Sequence, residues 1–536
     1  MSKVQPGDSP TAVSMRGEFR PRVRKRRVAN GAITIIAFMQ ATAPLDHAAA
    51  YQVFVARDAR FDGRLFVGVT STGVYCRPIC RVRTPLQKNC RFFETPAQAE
   101  AAAFRPCMKC RPEIAPGAGL PWTVMDASRT LAAQAADALD AQATSGDAPG
   151  IARMAARLGV SDRHLRRIFQ AEHGVTPLQY LQTRRLLLAK QLLTDTRLPV
   201  AQVALASGFN SLRRFNAAFA DSYRMSPSRL RGEADEAGFD SGAAVTVKLG
   251  YRAPYDAAAL LRFLAQRAVP GVEVIGERRV RRSLRAGTLA PMAGWVEAEF
   301  STGAPIVLLR FAPELAPASG RVVAAVRRWL DLDTQPQVID AALVNLPGAP
   351  GLRLPGSLDS FELAVRAVLG QQVTVAAART LAHRLVERFG APLATPWSEL
   401  SRTFPAPEAL GAVPLEEIAG LGIIRSRAGA IQSIAQAWPG LGRLLAPRAR
   451  PEPLIEHLRT LPGIGPWTAQ YIAMRALGWP DAFPPNDVAV LKACRQLFGT
   501  TNQREADLLA QAWQPWRAYA VLRLWNTLGK PGKASP

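Results

Sequence analysis

The sequence is short of acids, of cysteines and of long apolar runs, and each shortage excludes a class of protein. No segment is apolar for the roughly 20 residues that a membrane helix needs. The nearest, AITIIAFM at residues 32–39, resembles a signal-peptide core but is too short to span a bilayer. Six cysteines in 536 residues cannot form the framework of a secreted disulfide protein, and their clustering favours a metal in a reducing compartment. Asp and Glu number 42 against 67 Lys and Arg, a formal net charge of +25. With 48% hydrophobic residues the chain is a folded one, so this excess predicts a polyanionic partner, most simply nucleic acid. A merely arginine-rich composition is the bland alternative. Low-complexity repeats are missing as well, and the length calls for three or four domains.

What is present begins with a leader, residues 1–45, whose first thirty carry eight Lys/Arg against Asp8 and Glu18. It reads as an unfolded basic segment, with Met39 a candidate natural start. The first chemical constellation follows: Cys76-x3-Cys80 and, after a short segment, Cys107-x2-Cys110. Two close thiolate pairs fit a tetrahedral four-sulfur zinc site, and neither Cys90 nor Cys494 is needed for it. Spacing alone favours a clip that only staples a small domain. The surroundings, with Arg77, Arg81, Arg83, Arg91, Arg105, Lys109 and Arg111, suggest phosphate contact as well.

The stretches DGRLFVGVTSTGVYCRPICRVRTP and AAAFRPCMKCRPE resemble the N-terminal domain of the Ada adaptive-response family. That resemblance implies a zinc-bound thiolate at Cys76 which accepts the methyl group of a methylphosphotriester in DNA, once only. Loss of one negative charge facing DNA would then raise DNA affinity, a switch. No second acceptor motif of the Pro-Cys-His-Arg type occurs, so repair of O6-methylguanine is not expected.

From Trp122 to Arg231 the pattern is helical and duplicated. Leu165, Phe169 and Pro177 recur fifty residues on as Phe215, Phe219 and Pro227, and each copy has a glycine turn (Gly159, Gly208) before an N-capping serine (Ser161, Ser211). The second helices present Arg163, His164, Arg166 and Arg167 in one copy and Arg213, Arg214 and Asn216 in the other. Helices entering a major groove need such donors, although helical bundles also show arginine faces. LGVSDRHLRRIFQAEHGVTPLQYLQTRR and ASGFNSLRRFNAAFADSYRMSPSRLR resemble the AraC-type transcription-factor signature, with Arg224 in place of a glycine.

After an acidic, Gly/Ala-rich linker, alternation in RSLRAGTLAPMAGWVEAEF predicts a small α+β lobe, and helices then run to the end except for loops at 391–397 and 438–453. In LPGIGPWTAQYIAMRA, Gly463 and Gly465 predict a tight hairpin between helices that brings backbone N–H groups to a phosphate. Trp467, Tyr471 and Met474 then share a helical face, by default part of a core but suited to a base flipped from the stack. Asp487, after PPN and before an apolar helix, reads locally as an N-cap.

Together these resemble the HhH-GPD superfamily of DNA glycosylases, and YDAAALLRFLAQRAVPGVE, PGLRLPGSLDSFELAVRAVLGQQVTVAAA and PWRAYAVLRLWNTLG narrow the likeness to the AlkA type, 3-methyladenine DNA glycosylase II. The resemblance implies that Asp487 stabilises positive charge on the sugar, that Trp467, Tyr471 and Trp525 surround the extruded base, and that Gln372 stands where the type has a leucine wedge. Strand-cutting members carry a lysine where this chain has Trp467, so hydrolysis without lyase chemistry is expected. Asn486, in place of a second acid, is assigned no catalysis.

The reading is a multidomain, mainly α protein: leader 1–45; zinc α+β domain 46–118; AraC-type double helix-turn-helix domain 119–232; linker 233–243; AlkA-like α+β lobe 244–335; all-α helix-hairpin-helix glycosylase domain 336–530. Its expected cofactor is zinc, and its partners are alkylated double-stranded DNA, promoter DNA and RNA polymerase. A monomer in the cytoplasm, associated with the nucleoid, completes the expectation. Two alternatives stay open: a regulator whose glycosylase half binds without cleaving, or an enzyme that its N-terminal parts only tether to DNA.

Overall fold

The computed structural model describes residues 45–117, 127–143, 150–235, 244–285, 287–445 and 449–528. The basic leader and most of the predicted linker lie outside them. The first sheet has the order β3-β1-β2-β4, built from Phe66–Val69 (β1), Val74–Cys76 (β2), Cys90–Phe93 (β3) and Arg105–Pro106 (β4). Gly68 is required in β1, since a Cβ there would lie 2.8 Å from the Phe93 ring. β2 and β4 run parallel with Tyr75 opposite Pro106. That register sets Cys76 beside Cys107, so two cysteines distant in sequence leave the sheet as neighbours.

The duplication is structural. Ile151–Arg157 and Asp162–His173 form one helix-turn-helix, and Val200–Ala206 and Leu212–Tyr223 the other, joined by the long helix Pro177–Asp195. Ser161 and Ser211 cap the second helices, accepting from the backbone N–H of His164 and Arg214. Leu165, Phe169, Phe215 and Phe219 are all fully buried. Arg224 keeps the turn that glycine makes in the first copy: its φ of 57° matches the 68° of Gly174. The geometry survives, at a strain of about 1 kcal/mol for a side chain in the left-handed region.

The lobe is an antiparallel sheet of order β5-β9-β8-β7-β6, formed by Val245–Gly250 (β5), Glu273–Ile275 (β6), Arg279–Leu284 (β7), Gly294–Phe300 (β8) and Ile306–Phe311 (β9). The helix Ala257–Arg267 packs beside it and faces the all-α part. There the core is made by Phe361, Val365, Leu385, Ile431, Ile434 and Ile472, all fully buried. The two ends of the expected loop 438–453 are helix instead: Arg425–Leu444 runs on through Pro439, and Pro451–Thr460 starts before the loop's end. The proline ring sits on the exposed face, while Trp438 against Phe361 and the buried Leu441 hold the last turns to the core. Tertiary packing thus outweighs the lost backbone hydrogen bond.

The parts are not beads on a string. Residues from Pro44 onward cluster as one compact unit, and a single core cluster includes Phe215 and Phe219 of the helix-turn-helix half with Val247 and Trp329 of the lobe. Buried polar bridges add to it. Glu113 takes Lys190 at 2.6 Å, and Arg111 reaches Asp195 at 2.6 Å. Arg252, on the lobe, donates to the carbonyl of Asp62 at 3.1 Å, and Asp333 accepts from the N–H of Gly117 at 2.7 Å.

Candidate functional site

The sulfurs of Cys76, Cys80, Cys107 and Cys110 all lie within 4.8 Å of one another, and none is in a disulfide. Cys90 is not part of the group; its thiol faces the carbonyl of Leu86. Hydrogen bonding to Cys107 pushes the Cys76 thiol up, and hydrogen bonding to Cys110 pulls the Cys107 thiol down. Four sulfurs so close cannot all ionise unaided, and a dication resolves the conflict. This set of soft, free, clustered donors fits zinc. Cys76 is 3% exposed, while Cys110 is half-buried, so accessibility by itself does not single out the expected acceptor.

The basic setting of this site needs a correction. Arg81, Arg83, Arg91, Arg105 and Lys109 are exposed, as expected for phosphate contact. Arg77 and Arg111 are not available for it. Arg77 is buried in an ion pair with Asp62 and donates its backbone N–H to the Cys110 sulfur at 3.3 Å, and Arg111 is held between Glu113 and Asp195. Arg77 ties the zinc domain together internally, and Arg111 binds it to the helix that carries Asp195.

In the helix-turn-helix pair, Arg163, Arg166, Arg167, Arg213, Arg214 and Asn216 are exposed and His164 is half-buried. Arg166 leans on Asp162 one turn back, and Arg167 donates to the His164 ring at 3.1 Å. Both second helices therefore carry donors on their outer faces.

The hairpin lies between the helices Pro451–Thr460 and Pro466–Ala476. Its two glycines do different work. Gly463 has φ 78°, and a Cβ would meet that of Ala430 at 2.8 Å, so the turn itself demands it. Gly465 has an ordinary φ of −84°, and a Cβ there would meet nothing within 4 Å. No packing contact among the described residues requires that bare backbone.

Asp487 is the N-cap that its local sequence predicts. It caps the helix Val488–Phe498, accepting the Val490 N–H on Oδ1 at 2.9 Å. The indole of Trp525 also donates to Oδ1, at 3.0 Å, and the indole of Trp467 to Oδ2, at 2.9 Å. The carboxylate is 7% exposed, and among the described residues it has no ion-pair partner. Neutral donors fix its orientation and leave its charge uncancelled. Trp467 stacks on Tyr471, with centroids 5.1 Å apart and planes 9° from parallel, whereas Met474 is fully buried core.

These groups line a cleft of about 1930 Å³, which Gln372 also borders. Gln372 is exposed at the tip of the turn between Ser360–Leu369 and Val375–Phe389, with φ 52°. Sequence reasoning missed what surrounds it. Gln371 ties this turn to the hairpin, donating to the Gly463 carbonyl at 3.0 Å and the Thr468 hydroxyl at 2.9 Å, and Arg427 donates to the Gln371 carbonyl. Phe263 completes the aromatic wall, near-parallel to Trp525 at 6.5 Å, with Arg267 and Arg475 behind it. No local spacing links Phe263 to residues two hundred positions later.

Family models match in four consecutive segments: the metal binding domain of Ada (residues 49–113), a helix-turn-helix domain (154–233), the AlkA N-terminal domain (246–359) and the HhH-GPD superfamily base excision DNA repair protein (365–518). The probable bifunctional transcriptional activator/DNA repair enzyme AlkA of Mycobacterium tuberculosis is 37% identical over 90% of this chain and 96% of its own. DNA-3-methyladenine glycosylase 2 of Escherichia coli is 36% identical over 52% of this chain and 97% of its own. The Escherichia coli protein Ada, a bifunctional transcriptional activator/DNA repair enzyme, is 34% identical over 25% of this chain and 35% of its own. The chain belongs to the AlkA family whose members join an Ada-type metal-binding domain and a helix-turn-helix domain to an HhH-GPD base-excision domain.

Proposed function

We propose that this protein removes alkylated purines such as 3-methyladenine from DNA by hydrolysing the N-glycosidic bond, and that its N-terminal half senses methylphosphotriesters and activates transcription. The observation that carries the first part is Asp487 held by two indole N–H groups and a backbone N–H at the edge of an aromatic cleft. A base turned into the cleft meets Trp467, Tyr471 and Trp525, and Gln372 fills the gap it leaves in the duplex. As the C1′–N bond breaks, its electron pair goes to the base, and the fixed charge of Asp487 stabilises the cationic sugar. Water then adds to C1′. Trp467 occupies the place of a lyase lysine, so the strand is left uncut. Gly465 lets a phosphate approach the hairpin backbone, with Gly463 setting the turn.

In the N-terminal half Cys76, Cys80, Cys107 and Cys110 are the zinc ligands, and bound zinc would hold these sulfurs as thiolates at neutral pH. The Cys76 sulfur attacks the methyl carbon of a methylphosphotriester, forming an S–C bond while the O–C bond breaks and the phosphodiester anion is restored. The negative charge lost from the protein face strengthens its grip on DNA. Arg163, His164, Arg166 and Arg167, with Arg213, Arg214 and Asn216, contact promoter DNA in adjacent major grooves, and RNA polymerase is the partner so recruited. We assign the protein a monomeric state and a place in the cytoplasm, on the nucleoid; no described helix is long and apolar enough to cross a membrane.

Two assays test this. The wild type incubated with N-methylated duplex should release free base and leave abasic but unbroken strands, with no protein trapped on DNA by borohydride. Trapped protein would contradict the hydrolytic mechanism. Peptide mass spectrometry after exposure to methylphosphotriester DNA should find one added methyl, on Cys76. A methyl on the more exposed Cys110 would overturn that assignment.

A further inference from the structure

The two helix-turn-helix units share a backbone and differ in what they show. Both second helices run for twelve residues behind a capping serine and end on a left-handed residue, so each position of Asp162–His173 has its counterpart fifty residues on in Leu212–Tyr223. The buried positions keep their character, with Leu165 matched by Phe215 and Phe169 by Phe219. The outer positions do not. Asp162 becomes Leu212, Arg166 becomes Asn216, Arg167 becomes Ala217 and Gln170 becomes Ala220. In the first two turns only Arg163 keeps its outer residue type, as Arg213.

On the first helix Asp162 grips Arg166 through Nε and Nη2, at 2.9 and 3.2 Å, and His164 holds Arg167 at 3.1 Å. A guanidinium group so oriented offers donors alone, and guanine is the base whose major-groove edge offers two acceptors, N7 and O6. The second helix has no acid at the matching place. Leu212 stands there instead, 45% exposed at the first position of the helix. One turn further along the same face is Asn216, exposed and without a side-chain hydrogen bond among the described residues. An amide pairs one donor and one acceptor with N7 and N6 of adenine, and an apolar side chain meets the methyl group of thymine. Ala217, in the place of Arg167, adds no charge and leaves room for that methyl.

We propose that the two units read different base pairs: the first selects G·C through Arg166 and Arg167, and the second selects T·A through Leu212 and Asn216. The duplex that fits this protein therefore has a guanine-bearing half and a T·A-bearing half. The inference rests on the promoter-binding reading above and goes further by assigning the chemistry that each unit recognises.

Selection of bound duplexes from a random library by the zinc-loaded full chain, after exposure to methylphosphotriester DNA, should return such a site. Base analogues in the selected duplex then test single contacts without touching the protein fold. Uracil for thymine removes only the methyl group; it should weaken wild-type binding about fourfold and leave the affinity of Leu212→Ala unchanged. 7-Deazaguanine for guanine replaces the N7 acceptor by C–H; it should weaken the wild type about fivefold and leave Arg166→Ala unchanged. Two halves of the same composition, no loss in the wild type, or equal losses in wild type and variant would each overturn the inference while leaving promoter binding intact. Bound duplexes with no shared sequence would remove the promoter-binding reading itself, and this one with it.

Discussion

Two buried anionic sites, the four-cysteine cluster and the Asp487 pocket, hold their charge in opposite ways. Asp487 is fixed by neutral N–H donors from Trp467, Trp525 and Val490, all part of the folded chain, and nothing cancels its charge. The cysteine cluster crowds four sulfurs within 4.8 Å and needs a dication to do so. A site that acts repeatedly must return to its starting state, and donors built into helices do that by themselves. A once-only acceptor has no such need and can spend its charge state. The cysteine cluster is joined to the lobe through buried protein: Cys110 to Arg77, Arg77 to Asp62, and Asp62 to Arg252.

The sharpest way to break this contrast is to remove the dication. Cys107→Ser should abolish zinc binding and unfold the zinc domain, a loss on the order of 10 kcal/mol in apparent site free energy, while Asp487 keeps all its donors. Hydrogen exchange across residues 66–110 would show it. Next in size, Arg252→Met removes the cation by which the lobe holds the zinc domain, through the carbonyls of Asp62 and Gly117. Charge-assisted bonds of this kind predict a loss of about 3 kcal/mol in denaturant unfolding. An unchanged midpoint would mean the regions are independent.

A smaller effect sharpens the description of the pocket. Trp467→Phe and Trp525→Phe each delete one indole donor to Asp487 while keeping an aromatic ring. Each should slow base release about tenfold, roughly 1.4 kcal/mol, with DNA affinity little changed. The smallest effect concerns pH. Asp331, which accepts from the Tyr519 hydroxyl and the Leu354 N–H, has its carboxyl pushed up to about 6 by burial, although Arg353 opposes this. A raised value means the folded state holds the proton more tightly. That contribution is complete below the ordinary carboxyl value near 4 and is lost as pH rises through 6. Asp331→Asn cannot titrate, so the fall in melting temperature between pH 4 and pH 7 should flatten in this variant.

Much of this was legible in the sequence because the signals are local. Spacing gave the four zinc ligands, a repeat at fifty residues gave both helix-turn-helix units, and the hairpin glycines led to Trp467 and Asp487. The resemblance to known glycosylases then added Trp525 and Gln372. What stayed hidden depends on distance along the chain. Arg77 looked like a phosphate contact because Asp62 lies outside the cysteine motif, and Arg111 because Asp195, which shares it with Glu113, lies 84 residues away. Phe263 and Arg267 reach the pocket from the lobe's first helix, and Gln371 acts through a hairpin nearly a hundred residues on. Pro439 marked a loop by its own chemistry, and only the packing of Trp438 and Leu441 explains why the helix continues.

The central claim is that the charge of Asp487, oriented by neutral donors, carries base excision. Single-turnover release of 3-methyladenine from methylated duplex, measured for the wild type and Asp487→Asn with DNA affinity determined in parallel, tests it most directly. The account predicts a fall in rate of about a hundredfold or more at unchanged affinity, since asparagine keeps the shape and, through its one carbonyl oxygen, the cap and the Trp525 contact, but loses the charge and the acceptor for the Trp467 N–H. A variant that releases base at the wild-type rate would contradict it.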